Sequence, residues 1–289
     1  MPNLKDIQRR IGSVKKTQQI TRAMRMVAGA KLRRAQSAIE AARPYAERMR
    51  DTLAEFARSS RDAEHPLLEA RSSVRKLEIV LVTSERGLCG GFNSNAIRHA
   101  QRVVDARDAA LAELTLTTVG RKGLEYFRRR RASQMGEHYS IESWVEYRHA
   151  AEIASRLAQR YSEGDVDEVL LIYSEFVSPM TQTPQDVQLL PFGAGAGGDG
   201  DAEESLPYEI EPSPKALLSA LVPKAVEVAV YRALLENQAG EHAARMAAME
   251  SATRNTEDLI DTLTTQYNRA RQAAITKELV EIVSGAEAL

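Results

Sequence analysis

"QQITRAMRMVAGAKLRR" (residues 18–34) reads as helix throughout, yet it places Gln18, Thr21 and Arg25 where the turns on either side carry apolar side chains. Working outward in alternating steps of three and four, the same register takes in Leu4, Ile7, Ile11 and Val14 before this stretch. After it come Ala28, Leu32, Ala35, Ile39, Ala42, Ala46, Met49, Leu53 and Phe56. A seven-residue register held over so many turns predicts a coiled-coil seam, because a helix lying on a globular core shows a wider stripe that drifts. Asn3 is the expected N-cap, and Pro44 predicts a local kink near Arg43.

The other end of the chain carries a matching pattern. Ser213 and Pro214 supply a cap and a first-turn proline, and the same stepping runs from Leu218 through Val228, Arg232, Leu235, His242, Met249 and Leu263 to Ala274. Pro223 and Gly240 are local weak points in that helix. At 1.5 Å per residue the two helices span roughly 80 and roughly 105 Å, so an antiparallel pairing leaves the C-terminal turns, with Ile275, Leu279, Ile282 and Val283, overhanging. The segment is basic as well. Residues 1–36 hold ten Lys and Arg against Asp6 alone, while the whole chain of 289 residues carries a net charge of -1, so this end seeks an acidic partner. Scarce serine and an unbroken helical pattern past residue 50 argue for mature structure over a transit peptide.

Between the helices the texture changes. "KLEIVLVT" (76–83), "LTLTTVG" (114–120), "EVLLIYSEFV" (168–177) and "DVQLLPF" (186–192) read as strands, with helical patterns at about 94–112, 121–131 and 146–162. The fold class expected is α/β: a long antiparallel coiled coil of the N- and C-terminal helices plus a central Rossmann-like α/β domain with a mostly parallel sheet. The expected boundaries are 1–60 for the first coiled-coil helix, 61–75 for a linker and 76–192 for the α/β domain. A Gly-rich acidic loop and connector fill 193–212, and the second coiled-coil helix takes 213–289.

Signals for chemistry are sparse. "GLCGGFN" (87–93) follows the first strand, where a phosphate loop would sit, but lacks both the G-x-G-x-x-G spacing and the Gly-Lys-Ser/Thr ending, so it reads as a tight strand-to-helix turn. Cys89, the single cysteine, allows no internal disulfide and reads as a small apolar filler. His65, His99, His138, His149 and His242 make no i, i+4 metal pair and read as surface or seam residues. Arg128–Arg131 end a helix and suit its dipole. No apolar run approaches the roughly 20 residues of a membrane span. Residues 1–36 contain no aromatic residue, which weakens a nucleic-acid-binding arm as the alternative; an α/β nucleotide enzyme is the third reading.

"RIGSVKKTQQITRAMRMVAGAKLRRAQ" (10–36), "ERGLCGGFNSNAIR" (85–98) and "YNRARQAAITKELVEIVSGA" (267–286) closely resemble the gamma subunits of F-type ATP synthases. The likeness covers both ends and the middle in the same order. It implies the central rotor shaft of a proton-translocating complex, coupling c-ring rotation to ATP synthesis or hydrolysis at sites on the beta subunits. It implies no catalytic residue, metal or cofactor in this chain, and no nucleic-acid partner. Its partners would be the alpha and beta subunits of the head, the epsilon subunit and the c-ring. The complex would be peripheral on the cytoplasmic side of a bacterial inner or plasma membrane. Carried over residue by residue, the resemblance assigns head contacts to Arg22, Met24, Arg25, Arg245, Arg271 and Gln272. "PYEIEPSP" (207–214) gives Tyr208, Glu209 and Glu211 as contacts to epsilon and the c-ring.

Overall fold

The computed structural model describes residues 4–59, 65–108, 111–193 and 214–287. Two long helices, α1 (Leu4–Ser59) and α5 (Pro214–Glu287), flank the rest of the chain in sequence. The molecule divides into two units: Met1–Gly29 with Arg245–Leu289, and Ala30–Ala244. Helix α1 continues through Pro44, which sits on its exposed side. There the carbonyl released by the missing N–H can turn to water. Asn3, Ser213 and all but the first residue of the 193–212 loop lie outside the described residues.

In the first unit the seam register holds. Ile7, Thr21 and Ala28 are buried, Leu4, Ile11, Val14, Gln18 and Arg25 are half-buried, and most residues between them are exposed. Helix α5 answers with Met249, Thr253 and Leu263 buried. The pairing is antiparallel: Arg25 lies 3.9 Å from Glu250, and Thr21 bonds Thr253.

In the second unit a five-stranded sheet has the order β3-β2-β1-β4-β5. Its strands are β1 (Lys76–Val82), β2 (Glu113–Val119), β3 (Met135–Tyr139), β4 (Glu168–Ser178) and β5 (Thr181–Leu190). All neighbours are parallel except β4 and β5, which form an antiparallel hairpin. Strand β3 had no counterpart in the sequence reading. It is an edge strand, and "MGEHY" is exposed or half-buried along its length, so it shows no apolar run. The last strand also starts earlier than its apolar segment suggests, because the hairpin pairs polar residues from Thr181 onward.

Strand β1 is covered on both faces, which explains its continuous apolar run. Leu77, Ile79 and Leu81 pack against α2 (Phe92–Arg107) and α3 (Arg121–Phe127). Val80 and Val82 pack against α4 (Tyr147–Glu163) and against α5 from Leu218 to Leu234. Glu78 also points to this second face and is 1% exposed; Thr117 Oγ1 donates to it at 2.6 Å and Arg160 Nη1 at 2.5 Å. Burial pushes its carboxyl pKa up, opposed by those two partners. On the α1 side, Leu32, Ala35 and Leu53 are buried at seam positions. Ile39, Ala42 and Ala46 line a cavity of about 270 Å³ together with Val228 and Leu235 of α5.

One seam assignment is corrected. Arg232 is exposed, its side chain turned away to donate to Glu236 at 2.7 Å. Around it α5 has no single seam: every residue from Ala233 to Gly240 is buried. This part of the helix is enclosed on all sides.

Candidate functional site

Two places in the structure bear on function: the polar stretch of the coiled coil in the first unit, and the C-terminal edge of the sheet in the second. In the coiled coil the threonines explain how a seam can be polar. Thr21 Oγ1 and Thr253 Oγ1 lie 2.8 Å apart, each also within reach of a carbonyl of its own helix, Gln18 at 3.0 Å and Met249 at 2.7 Å. Two hydroxyl protons shared among three such contacts leave neither buried oxygen without a partner. Eight residues on from Thr21, Gly29 packs against Met246; a Cβ there would lie 3.3 Å from its Sδ. The glycine is therefore a site of close helix approach as well as a local cost in helix propensity.

All six expected head-contact residues fall in this unit. Arg22, Arg271 and Gln272 are exposed, while Met24, Arg25 and Arg245 are half-buried. Arg25 faces Glu250, which also accepts from Arg254 at 2.8 Å, so a loose surface network flanks the threonine layer. Apolar side chains on the outside accompany these cations: Ile20, Met26 and Val27 on α1, and Ile275, Leu279 and Ile282 on α5, are between 49% and 68% exposed. Tyr208, Glu209 and Glu211 lie outside the described residues.

The sheet edge is the place where doubly wound α/β folds bind ligands. Here it is filled from within the chain. Thr83, Ser84 and Glu85 at the end of β1, with Val145 of the loop before α4, face Asn237 and Gln238 of α5 around a cavity of about 30 Å³, about the room one water needs. The glycine-containing turn is closed by its own hydrogen bonds: Asn93 Oδ1 accepts from Ser84 N at 3.0 Å, and Asn93 Nδ2 donates to Ser84 Oγ at 2.7 Å and to Cys89 Sγ at 3.2 Å. Leu88 and Gly90 take positive φ to make it. Gly120 has φ 88°, and a Cβ on it would come within 2.3 Å of Thr83 O, so only glycine fits.

Five histidines have structural partners. His65 Nδ1 accepts from Leu67 N, His99 pairs with Asp186 at 2.7 Å, and His138 sits by Thr118 Oγ1. His149 Nδ1 accepts from Glu146 N at 3.1 Å, and His242 packs its edge against Trp144. Among the described residues no group of three or more His, Cys, Asp and Glu is placed to hold a metal, and no helix is long and apolar enough to cross a membrane. Sequence reasoning missed Trp144, Glu236, Asn237 and Gln238. The signal for the last three was a polar triplet inside the otherwise apolar "ALLENQAG" (233–240).

The fold defines a class of protein: an antiparallel coiled coil made from the two ends of one chain, with an α/β domain inserted between them whose ligand crevice is occupied by one of the coiled-coil helices. The family model described as ATP synthase matches residues 3–289. ATP synthase gamma chains from an Anaeromyxobacter species and from Pelotomaculum thermopropionicum are 50% and 47% identical, each alignment covering 100% of both chains. The chain belongs to the family of ATP synthase gamma chains. Solved relatives include the central stalk and c-ring of the Tetrahymena thermophila mitochondrial ATP synthase, with a TM-score of 0.62 and 25% identity over 81% of this chain and 99% of that one. The rotor of the Euglena gracilis mitochondrial ATP synthase shares the fold, with a TM-score of 0.66 and 20% identity over 94% of this chain and 98% of that one.

Proposed function

We propose that this gamma subunit is the non-catalytic rotor shaft of a proton-translocating bacterial ATP synthase, peripheral on the cytoplasmic side of the plasma membrane. The first unit turns inside the ring of alpha and beta subunits. The segment around Tyr208, Glu209 and Glu211 meets epsilon and the c-ring. Nucleotide chemistry takes place on beta, and this chain carries torque to it.

The observation that carries the reading is the character of the shaft around the buried Thr21–Thr253 layer. A contact made and broken at every step of rotation needs a stiff core beneath a weakly adhesive exterior. The mutually satisfied threonine pair keeps the seam closed without large side chains, and the exposed Arg22, Arg271 and Gln272 offer screened, reversible contacts. A deep apolar interlock would favour one angle over the others. Met24, Arg25 and Arg245 complete the set that faces the alpha and beta subunits of the head.

Two measurements test the proposal. The chain should co-purify with the catalytic subunits from washed membranes and restore ATP-driven proton pumping to a complex lacking it. Calorimetry of the pure chain with Mg-ATP should give no heat of binding, since side chains of α5 fill the crevice at the sheet edge. Micromolar ATP binding, or a complex that pumps without the chain, would sink the proposal.

A further inference from the structure

The loop that leads into α4 reaches both coiled-coil helices, and its contacts differ in kind from the apolar packing below it. The indole of Trp144 lies under the guanidinium of Arg34 of α1, 4.1 Å from the ring centre, and meets the edge of His242 of α5, with ring centres 5.9 Å apart. Gln238 of α5 holds the backbone on both sides of that indole: its Nε2 donates to Ser143 O at 3.2 Å, and its Oε1 accepts from Val145 N at 3.5 Å. The loop is in turn fixed to the sheet. Glu85, just after β1, accepts from Ser140 Oγ at 3.0 Å, from Ile141 N at 2.9 Å and from Arg121 N at 3.2 Å. From the opposite side, Phe92 and Gln182 press on α5 where it has no side chain, for a Cβ on Gly240 would lie 2.9 and 3.2 Å from them.

We propose that this loop is the clasp through which the α/β domain turns the shaft, with Trp144, Arg34 and Gln238 as positioning residues for torque transfer; the proposal rests on the rotor reading above. The physical reason is directionality. Apolar burial between α5 and the sheet resists separation but is indifferent to small slides and twists. A hydrogen-bonded amide that bonds a loop backbone in two directions, and a helix backbone jammed at Gly240, fix both register and rotation angle. Trp144 extends the hold to α1 through Arg34, so both strands of the coiled coil follow the domain together. That link adds a directional contact to the apolar hold α1 already has through its seam with α5 and through Leu53, which shares a core with the sheet and α4. The buried Gln238 then has a purpose in a helix that packing alone would make apolar.

The test uses the assembled complex in membrane vesicles. It compares the parent with Arg34→Gln, Arg34→Lys and Trp144→Ala, all normalised to gamma-subunit content. The informative quantity is ATP synthesis at a fixed proton gradient divided by ATP hydrolysis in the presence of an uncoupler, because a fold or assembly defect lowers both and leaves their ratio unchanged. Arg34 is exposed, so its replacement leaves folding intact. The expected result is a ratio lowered about twofold or more in Arg34→Gln, the factor an exposed cation–π contact carries, and restored in Arg34→Lys. Trp144→Ala should lower it further. If the parent restores synthesis and Arg34→Gln keeps the parent ratio, or if Arg34→Lys is as impaired as Arg34→Gln, the clasp is refuted while the rotor stands. If the parent itself restores no synthesis, the rotor reading falls and the clasp with it.

Discussion

Two helical glycines, Gly12 and Gly240, should respond to the same substitution with opposite signs. Replacing glycine by alanine inside a helix lowers the entropy of the unfolded chain and stabilises by roughly 0.5–1 kcal/mol where the new methyl meets nothing. Gly12 in α1 is such a site, with no atom within 4 Å of the added Cβ. At Gly240 the methyl would come within 2.9 Å of the Phe92 ring and 3.2 Å of Gln182 Cγ, and Phe92 is only 5% exposed. Overpacking a filled site costs about 1–3 kcal/mol, so after the helix gain Gly240→Ala should be destabilising by roughly 0.5–2 kcal/mol. The single tryptophan, Trp144, sits beside this stretch and reports on it selectively. Urea unfolding followed by its fluorescence should show the Gly240→Ala midpoint lowered by about 0.3–1 M for a slope near 2 kcal/mol/M. Circular dichroism should show Gly12→Ala unfolding later than the parent. If Gly240→Ala matches or exceeds the parent midpoint, the close approach at the crevice is not a tight contact and the reasoning fails.

Leu32→Asp, which buries a charge at a seam position 4% exposed, should cost several kcal/mol and sharply lower coupled ATP synthesis or assembly. Removal of the residues after Val280, where Ile282 and Val283 are more than half exposed, should leave assembly and substantial ATPase activity. Subunit content, hydrolysis and pumping in vesicles compare the two, and a truncation more damaging than Leu32→Asp would give the overhang the torque. Arg271→Glu should slow ATPase turnover without preventing assembly, since an exposed charge adds little to a large interface but acts at particular rotor angles; a wild-type rate or a complex that never forms counts against it. The Tyr173 phenol is pushed up to about 12, first by burial and then by the charge of Glu236. A phenol that ionises near 10 in the unfolded chain and higher when folded adds stability that is present below pH 10 and lost as pH rises toward 12. Tyr173→Phe should therefore flatten the alkaline loss of stability, by about 3 kcal/mol at most, in urea midpoints measured across that window; an unchanged alkaline slope would refute the burial argument.

The sequence by itself determined the coiled coil and the existence of the α/β domain, because both rest on periodicity. Each α1 seam position from Leu4 to Leu53 is buried or half-buried, the three polar ones included, since a seven-residue repeat constrains every turn in the same way. Strands β1 and β4 were legible because burial on both faces demands continuous apolar runs, and β2 because its leucines alternate with β-branched threonines. Strand β3 was not, since an edge strand is held by backbone bonds that leave its side chains free to be polar. The six shaft residues came from motif resemblance, and their exposure follows from lying on or beside a narrow seam.

What only the tertiary structure decided is the fate of "ALLENQAG" (233–240). Its seam pattern names Leu235 and Ala239 and leaves Glu236, Asn237 and Gln238 looking like an exposed polar face. In the fold all three are buried, because the helix meets α1 on one side and the C-terminal edge of the sheet on the other. Periodicity along one element reports how many of its faces are apolar, not whether a polar residue such as Gln238 will find hydrogen-bonding partners elsewhere in the chain. Trp144, Arg34 and Gln238 lie far apart in sequence, and the loop that joins them is positioned by Glu85 at the end of a strand. Directional contacts of that kind exist only once the domain has closed around the helix.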